Sequence, residues 1–134
     1  MPFLLDTNSW IFYLKNPAGV LSKRLAAISP ADIRLCSLVK AELLHGAEKY
    51  GNRSRRLQTL ARIFGQFSSL PFDDHAAEIY GPVRHALEVA GQIIGSHDLL
   101  IASICIAHKL TIVTNNVSEF SRIPMLLVED WTVP

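Results

Sequence analysis

Ser96-His97-Asp98-Leu99-Leu100-Ile101-Ala102-Ser103-Ile104-Cys105-Ile106, then Thr111-Ile112-Val113, then Thr114-Asn115-Asn116-Val117-Ser118-Glu119, is the stretch on which the fold turns. Its first part is long enough for three helical turns and apolar nearly all round, which predicts a helix in the centre of a core, capped by Ser96. The triplet that follows predicts a short strand, and the polar run after it a loop at that strand's carboxyl end. Helix, strand and polar loop in that order are one repeat of an α/β sheet, where sites gather beyond the carboxyl ends of the strands.

The same alternation extends toward the N-terminus. Phe3 to Leu5 reads as a buried strand, and Asp6-Thr7-Asn8 as a turn opening a helix through Trp10, Ile11 and Leu14. A second helix is predicted from Val20 to Ile28, stopped by Ser29-Pro30, and a strand from Ile33 to Cys36. Ser37 then reads as the cap of a helix reaching Tyr50 before Gly51. Asn52 to Phe67 places Leu57, Leu60, Ala61, Phe64 and Phe67 at helical spacing. Leu70 to Phe72 reads as a strand, and a helix from Asp73 or Asp74 carries Ile79, Tyr80, Val83 and Leu87 as one stripe ending near Gly91. Leu126 to Val128 supplies a last strand. The expectation is a parallel sheet covered by helices on both faces.

With 134 residues and 49% apolar composition, the chain has room for one domain, 1–134, with a hydrophobic core of its own. Cys36 and Cys105 lie in apolar surroundings without a C-x-x-C pattern, so they read as reduced, buried thiols. No apolar stretch is long enough to span a bilayer and none resembles a secretory leader, which points to the cytoplasm and away from membranes. Net charge is only +1, yet Lys40 to Arg62 holds six basic residues against two acidic ones. That stretch suits phosphates, or it is a solvated helix face.

Four carboxylates stand out, each with an ordinary explanation beside a chemical one. Asp6, where a strand turns into a helix, can cap orphan amides. Glu42 lies within a helix, on a face shared with Leu38, Val39, His45 and Gly46. Asp98 falls in the first turn of the most apolar helix, where the macrodipole favours negative charge. Glu119 follows a strand in a polar loop. An α/β layout brings three of the four to one sheet edge, where crowded carboxylates repel unless a divalent cation neutralises them. Magnesium suits such oxygen donors, whereas the five histidines offer no zinc pattern.

Six segments, in order, resemble the PIN-domain family and in particular the bacterial VapC toxins. They are Leu4-Leu5-Asp6-Thr7-Asn8; Val39-Lys40-Ala41-Glu42-Leu43-Leu44-His45-Gly46-Ala47; Leu70-Pro71-Phe72-Asp73 with Ala76, Ala77 and Tyr80; Ile94-Gly95-Ser96-His97-Asp98-Leu99-Leu100-Ile101-Ala102; Val113-Thr114-Asn115-Asn116 with Glu119-Phe120; and Val128-Glu129-Asp130-Trp131. The resemblance implies a three-layer α/β/α PIN domain around a parallel sheet of four or five strands. It also implies an endoribonuclease in which Asp6, Glu42, Asp98 and Glu119 hold Mg²⁺ or Mn²⁺ and serve as the catalytic set. Thr7, Asn8, Thr114 and Asn116 would orient those carboxylates or the ion's waters. Met125 stands where many relatives have glycine, Ser103 where alanine is frequent, and Glu119 where many have aspartate.

The same resemblance implies an RNA substrate such as tRNA, products with 5′-phosphate and 3′-hydroxyl ends, a homodimer, and a small VapB-like antitoxin that blocks the acidic cleft. The aromatic and apolar run Trp10-Ile11-Phe12-Tyr13 is broad enough to serve a contact of that kind or to pack the core. Two rivals stay open: a DNA-directed nuclease, and a PIN-fold module that binds nucleic acid or regulates without chemistry. An aspartyl-phosphate enzyme fits less well, because the second aspartate expected two positions after Asp6 is Asn8. Neither a G-x-x-x-x-G-K-[ST] loop nor a G-x-S-x-G elbow occurs.

Overall fold

A computed structural model describes residues 2–134. Five strands form one sheet: β1 (Phe3–Leu5), β2 (Ile33–Cys36), β3 (Ser68–Leu70), β4 (Thr111–Val113) and β5 (Val128–Glu129). Their order is β3-β2-β1-β4-β5, and every neighbouring pair is parallel. Central β1 has Leu4 opposite Arg34 of β2 and Ile112 of β4, and Leu4, Leu5, Ile112 and Val113 are fully buried. Strands covered on both faces need no polar alternation, which is why they read as apolar runs.

Among the described residues seven helices connect them: α1 (Thr7–Lys15), α2 (Val20–Ala26), α3 (Ser37–Lys49), α4 (Arg53–Phe64), α5 (Asp74–Val89), α6 (Ser96–Ala107) and α7 (Val117–Phe120). A 3-10 turn at Pro30–Asp32 leads into β2. α1 packs on α2 and α3, α3 on α4, and α5 on α6. Right-handed crossovers and the reversal of strand order at β1 put the α1–α4 group and the α5–α6 pair on opposite faces of the sheet. The reversal also creates a switch point between β1 and β4, the place where doubly wound sheets bind ligands beyond their carboxyl ends.

α6 is the central helix its composition predicts, with Leu99, Ile101, Ala102, Ser103, Ile104 and Cys105 all buried. Ser103 is tolerated there because its hydroxyl donates to the Leu99 carbonyl oxygen at 2.8 Å, which leaves no polar group unpaired. Cys36 and Cys105 are free and buried, as expected, and burial pushes both thiols up from their ordinary pKa. Trp10 is fully buried, with Tyr13 edge-on at 5.6 Å and Phe67 at 5.7 Å, so most of the aromatic run packs the core. Ile11 stays partly open.

Several boundaries differ from the sequence expectation. β3 occupies Ser68–Leu70, ending where Pro71 has no amide to donate to a ladder. β5 is Val128–Glu129, and its register is set by the Ile112 amide donating to Leu127 and the Thr114 amide to Glu129. Ser37 and Ser96 are the first helical residues, with Cys36 and Gly95 in the cap positions and no side-chain cap at either helix. α4 ends at Phe64, three residues early, and the loop after β4 coils into α7.

Met125 has φ +68°, a left-handed conformation that costs a side-chain-bearing residue energy and suits glycine. Its side chain is 80% exposed, so truncation forfeits little packing. Met125→Gly should therefore stabilise the fold by about 0.5–1 kcal/mol, the left-handed strain relieved less the added entropy of an unfolded glycine. Urea denaturation checks this, and a lower midpoint would show that the turn holds no strain worth relieving.

Candidate active site

Because all strands are parallel, the residues that follow them share one edge. Asp6 follows β1, α3 with Glu42 in its second turn follows β2, and Thr114 to Glu119 follow β4. α6 precedes β4 and runs back against it, so its first turn, with Asp98, returns to that same edge.

Asp6 is the most enclosed of the four carboxylates, at 4% exposure. Its Oδ1 accepts from the Ser9 amide at 2.9 Å, and its own amide donates to the Val113 carbonyl at 3.0 Å. The Ser9 hydroxyl donates to that same carbonyl at 3.0 Å. Asp6 is thus a true N-cap of α1 and a rivet between β1 and β4. Burial pushes its pKa up from the ordinary aspartate value. Hydrogen bonds from Thr114 and Ser9 pull it back, and the negative charge of Asp130 pushes it further up.

Asp98 is where the charges converge. Its pKa is raised first by burial, then by the negative charges of Asp6, Glu119 and Glu42 in turn, with His97 opposing. Only groups close in space act on one another in this way. Glu42 lies against His97 Nε2, across the contact of α3 with α6, and about 40% of its side chain remains exposed. Glu119 Oε2 accepts from Asn116 Nδ2 at 2.9 Å, while the Asn116 amide donates to Thr114 Oγ1 at 2.9 Å. Thr114 itself is fully buried.

The four carboxylates singled out in the sequence are therefore brought together, and so are Thr114 and Asn116. Thr7 is buried beside Asp6, and its hydroxyl has no hydrogen-bond partner among the described residues. Asn8 is exposed, and Ser9 does the anchoring expected of it. Sequence reasoning overlooked three residues: Ser9, His97 and Asp130. Asp130 follows β5 just as Asp6 follows β1, so the strand-end rule that found Asp6 applies to it equally. It is held by the Thr132 amide at 2.8 Å and the Thr132 hydroxyl at 2.6 Å.

No lysine or arginine pairs with Asp6, Asp98 or Glu119 among the described residues; His97 against Glu42 is the nearest relief. Nor does any group of three His, Cys, Asp or Glu there stand close enough to grip one ion together. That spacing disfavours a tight structural zinc site. The donors are oxygens, and a hard cation such as magnesium needs only one or two carboxylates directly, with waters between it and the rest. The unpartnered Thr7 hydroxyl and the uncompensated charge fit such a hydrated cation.

Comparison with known proteins identifies the family. The PIN domain family matches residues 3–125. The chain is 36% identical over 132 residues to ribonuclease VapC2 of Rickettsia felis, covering 98% of each protein. It is 34% identical over 131 residues to the tRNA(fMet)-specific endonuclease VapC of Salmonella typhimurium, again covering 98% of each. The crystal structure of VapBC2 from Rickettsia felis, bound to a DNA fragment from their promoter, superposes with a TM-score of 0.91 at 34% identity, over 98% of this chain and 99% of that one. Parallel topology, strand-end carboxylates and full-length similarity agree: the chain belongs to the PIN-domain family and, within it, to the VapC ribonuclease toxins.

Proposed function

We propose that this VapC ribonuclease hydrolyses RNA phosphodiester bonds with Mg²⁺ or Mn²⁺ held by Asp6, Glu42, Asp98 and Glu119. The observation that carries the reading is the convergence of Asp6, Glu42 and Glu119 on Asp98, without a lysine or arginine among the described residues to neutralise the group. A chain that performed no chemistry would gain nothing from that repulsion. A cation held by these carboxylates would supply an activated water for in-line attack at phosphorus and positive charge beside the departing oxygen.

The chain's own groups hold the site in shape. Asp6 is fixed by the Ser9 amide and backed by Thr114, so its carboxylate presents one orientation. Asn116 holds Glu119, and His97 lies against Glu42. Thr7 offers a hydroxyl beside Asp6, and Asn8 an exposed amide at the start of α1. tRNA is the substrate class we assign, by analogy with the Salmonella relative. A VapB-like antitoxin covering the acidic edge is the partner we assign, as the name VapBC2 implies for the Rickettsia complex. The working particle is a homodimer of single-domain chains. Among the described residues no helix is long and apolar enough to cross a membrane.

Parallel digests of labelled tRNA and single-stranded DNA, with Mg²⁺ or with chelator, test the reaction. RNA cleavage that chelator abolishes is expected; preferential cutting of DNA, or chelator-resistant cutting, overturns it. Asp98→Asn, folded by circular dichroism, should lose about a hundredfold or more in rate. Equal rates would remove Asp98 from the catalytic set.

The same substitution has an opposite effect on stability. The folded pKa values of Asp6 and Asp98 are raised, so their protonated forms favour the fold. That stability is fully present below the unfolded aspartate pKa and is lost as pH rises through the raised values. In chelator at neutral pH, Asp98→Asn should thus melt higher than the parent by a few degrees, on the order of 3 °C. The gap should close as pH falls into the carboxylate range, and a lower melting temperature at neutral pH would contradict the crowding. For the assembly, light scattering at micromolar concentration should report twice the 14.9 kDa chain mass. A species of single mass would exclude the dimer.

A further inference from the structure

Arg122 joins two segments that lie far apart in sequence. Its Nη1 donates to the Ile93 carbonyl at 3.1 Å, across 29 residues. Each end of that bond adjoins an element carrying one of the acidic residues. Arg122 comes just after α7, and its amide donates to the Glu119 carbonyl at 3.1 Å, closing the turn that bears that carboxylate. Ile93 comes two residues before Gly95, the cap position of α6, and five before Asp98. The side chain of Ile93 is exposed, so its carbonyl is what this segment offers. Buried neighbours root both segments in the core: Phe120 and Ile123 on one side, Ile94 on the other.

This bond answers a problem that the acidic edge creates. Residues 92–95 form neither helix nor strand, and no side chain caps α6, so the backbone leading to Asp98 has little of its own to fix it. The charge of Glu119 meanwhile acts on Asp98, and like charges push their two segments apart. An ion that bound there would first have to draw them together, and that ordering subtracts from its affinity. Arg122 pairs with no carboxylate among the described residues, so what it contributes is a tie to backbone and not the neutralisation of an acid. A guanidinium on a carbonyl is also a stronger link than a neutral donor makes. We propose that Arg122 is a positioning residue: its bond to the Ile93 carbonyl holds the Glu119 turn against the start of α6 and so presets Asp98 and Glu119 for the divalent cation. The assignment rests on the ribonuclease reading and extends it to a residue outside the acidic set. The rival is an arginine that acts only through its charge, drawing phosphates toward the edge.

The two roles predict opposite signs. Removing a positive charge beside carboxylates tightens the binding of a cation, whereas removing a tie between them loosens it. Mn²⁺ affinity of the full chain is read by electron paramagnetic resonance without RNA. Arg122→Ala should bind Mn²⁺ roughly fivefold more weakly, somewhat less than the loss expected for a group bonded directly to a metal ligand. Arg122→Lys, which keeps the charge and a donor, should recover most of that affinity. Arg122→Gln, which loses the charge and shortens the reach, should fall on the weaker side. Arg24→Ala, on the exposed surface of α2, should bind as the parent does. In chelator, amide hydrogen exchange should quicken at 92–95 and 117–120 in Arg122→Ala and stay unchanged in the central strands. In RNA cleavage, the same variant should need more Mn²⁺ for half-maximal rate while keeping a near-parental kcat at saturating ion.

If the parent binds Mn²⁺ and cleaves RNA while Arg122→Ala binds the ion equally well or more tightly, the tie falls and the ribonuclease reading stands. Weaker binding that Arg122→Lys does not restore, with exchange quickened throughout the chain, makes Arg122 a general stabiliser and again overturns the proposal. A parent that neither takes up Mn²⁺ nor cuts RNA defeats both readings.

Discussion

Asp6 is a nearly buried carboxylate with no cationic side chain beside it among the described residues, and it sits at the switch point of the sheet. Removing such a group from water is costly unless hydrogen bonds hold its charged form. Here the Ser9 amide and Thr114 do so, while the Asp6 amide and Ser9 hydroxyl both fasten to the Val113 carbonyl. The contacts that keep the carboxylate aimed are thus the contacts that join β1 to β4. The acidic site is part of the central strand pair, and the strain it carries is borne by the best-packed part of the molecule.

Charge is segregated in a way that net charge hides. The acidic edge gathers Asp6, Asp98, Glu119 and Glu42, with Asp130 close enough to act on Asp6. Four of the thirteen basic residues, Arg53, Arg55, Arg56 and Arg62, lie on α4. Glu42 lies where α3 meets α6, against His97. A net charge of +1 thus conceals an edge of a single sign.

Much of the fold was legible because its local and global preferences agree. α6 is apolar all round since it is buried all round, and the short strands are apolar for the same reason. Boundaries slipped where backbone chemistry outweighs apolar pattern, at Pro71, which ends β3, and after Met125, whose left-handed turn delays β5. Asp6, Asp98 and Glu119 could be placed from their positions at strand and helix ends. Glu42 could not, because it reaches the group through the α3–α6 contact, which no local rule predicts. Ser9 was hidden for a related reason: its value lies in a bond to Val113, 104 residues away.

The strand order carries a consequence for synthesis. β1 leaves the ribosome long before its neighbour β4, which begins only at Thr111. Until that late strand arrives, the middle of the sheet has one open flank, and Asp6 lacks the carbonyl that anchors its amide. The loop that carries Thr114, Asn116 and Glu119 follows that strand, so the last fifth of the chain supplies both the anchor of the first carboxylate and the last carboxylate of the group.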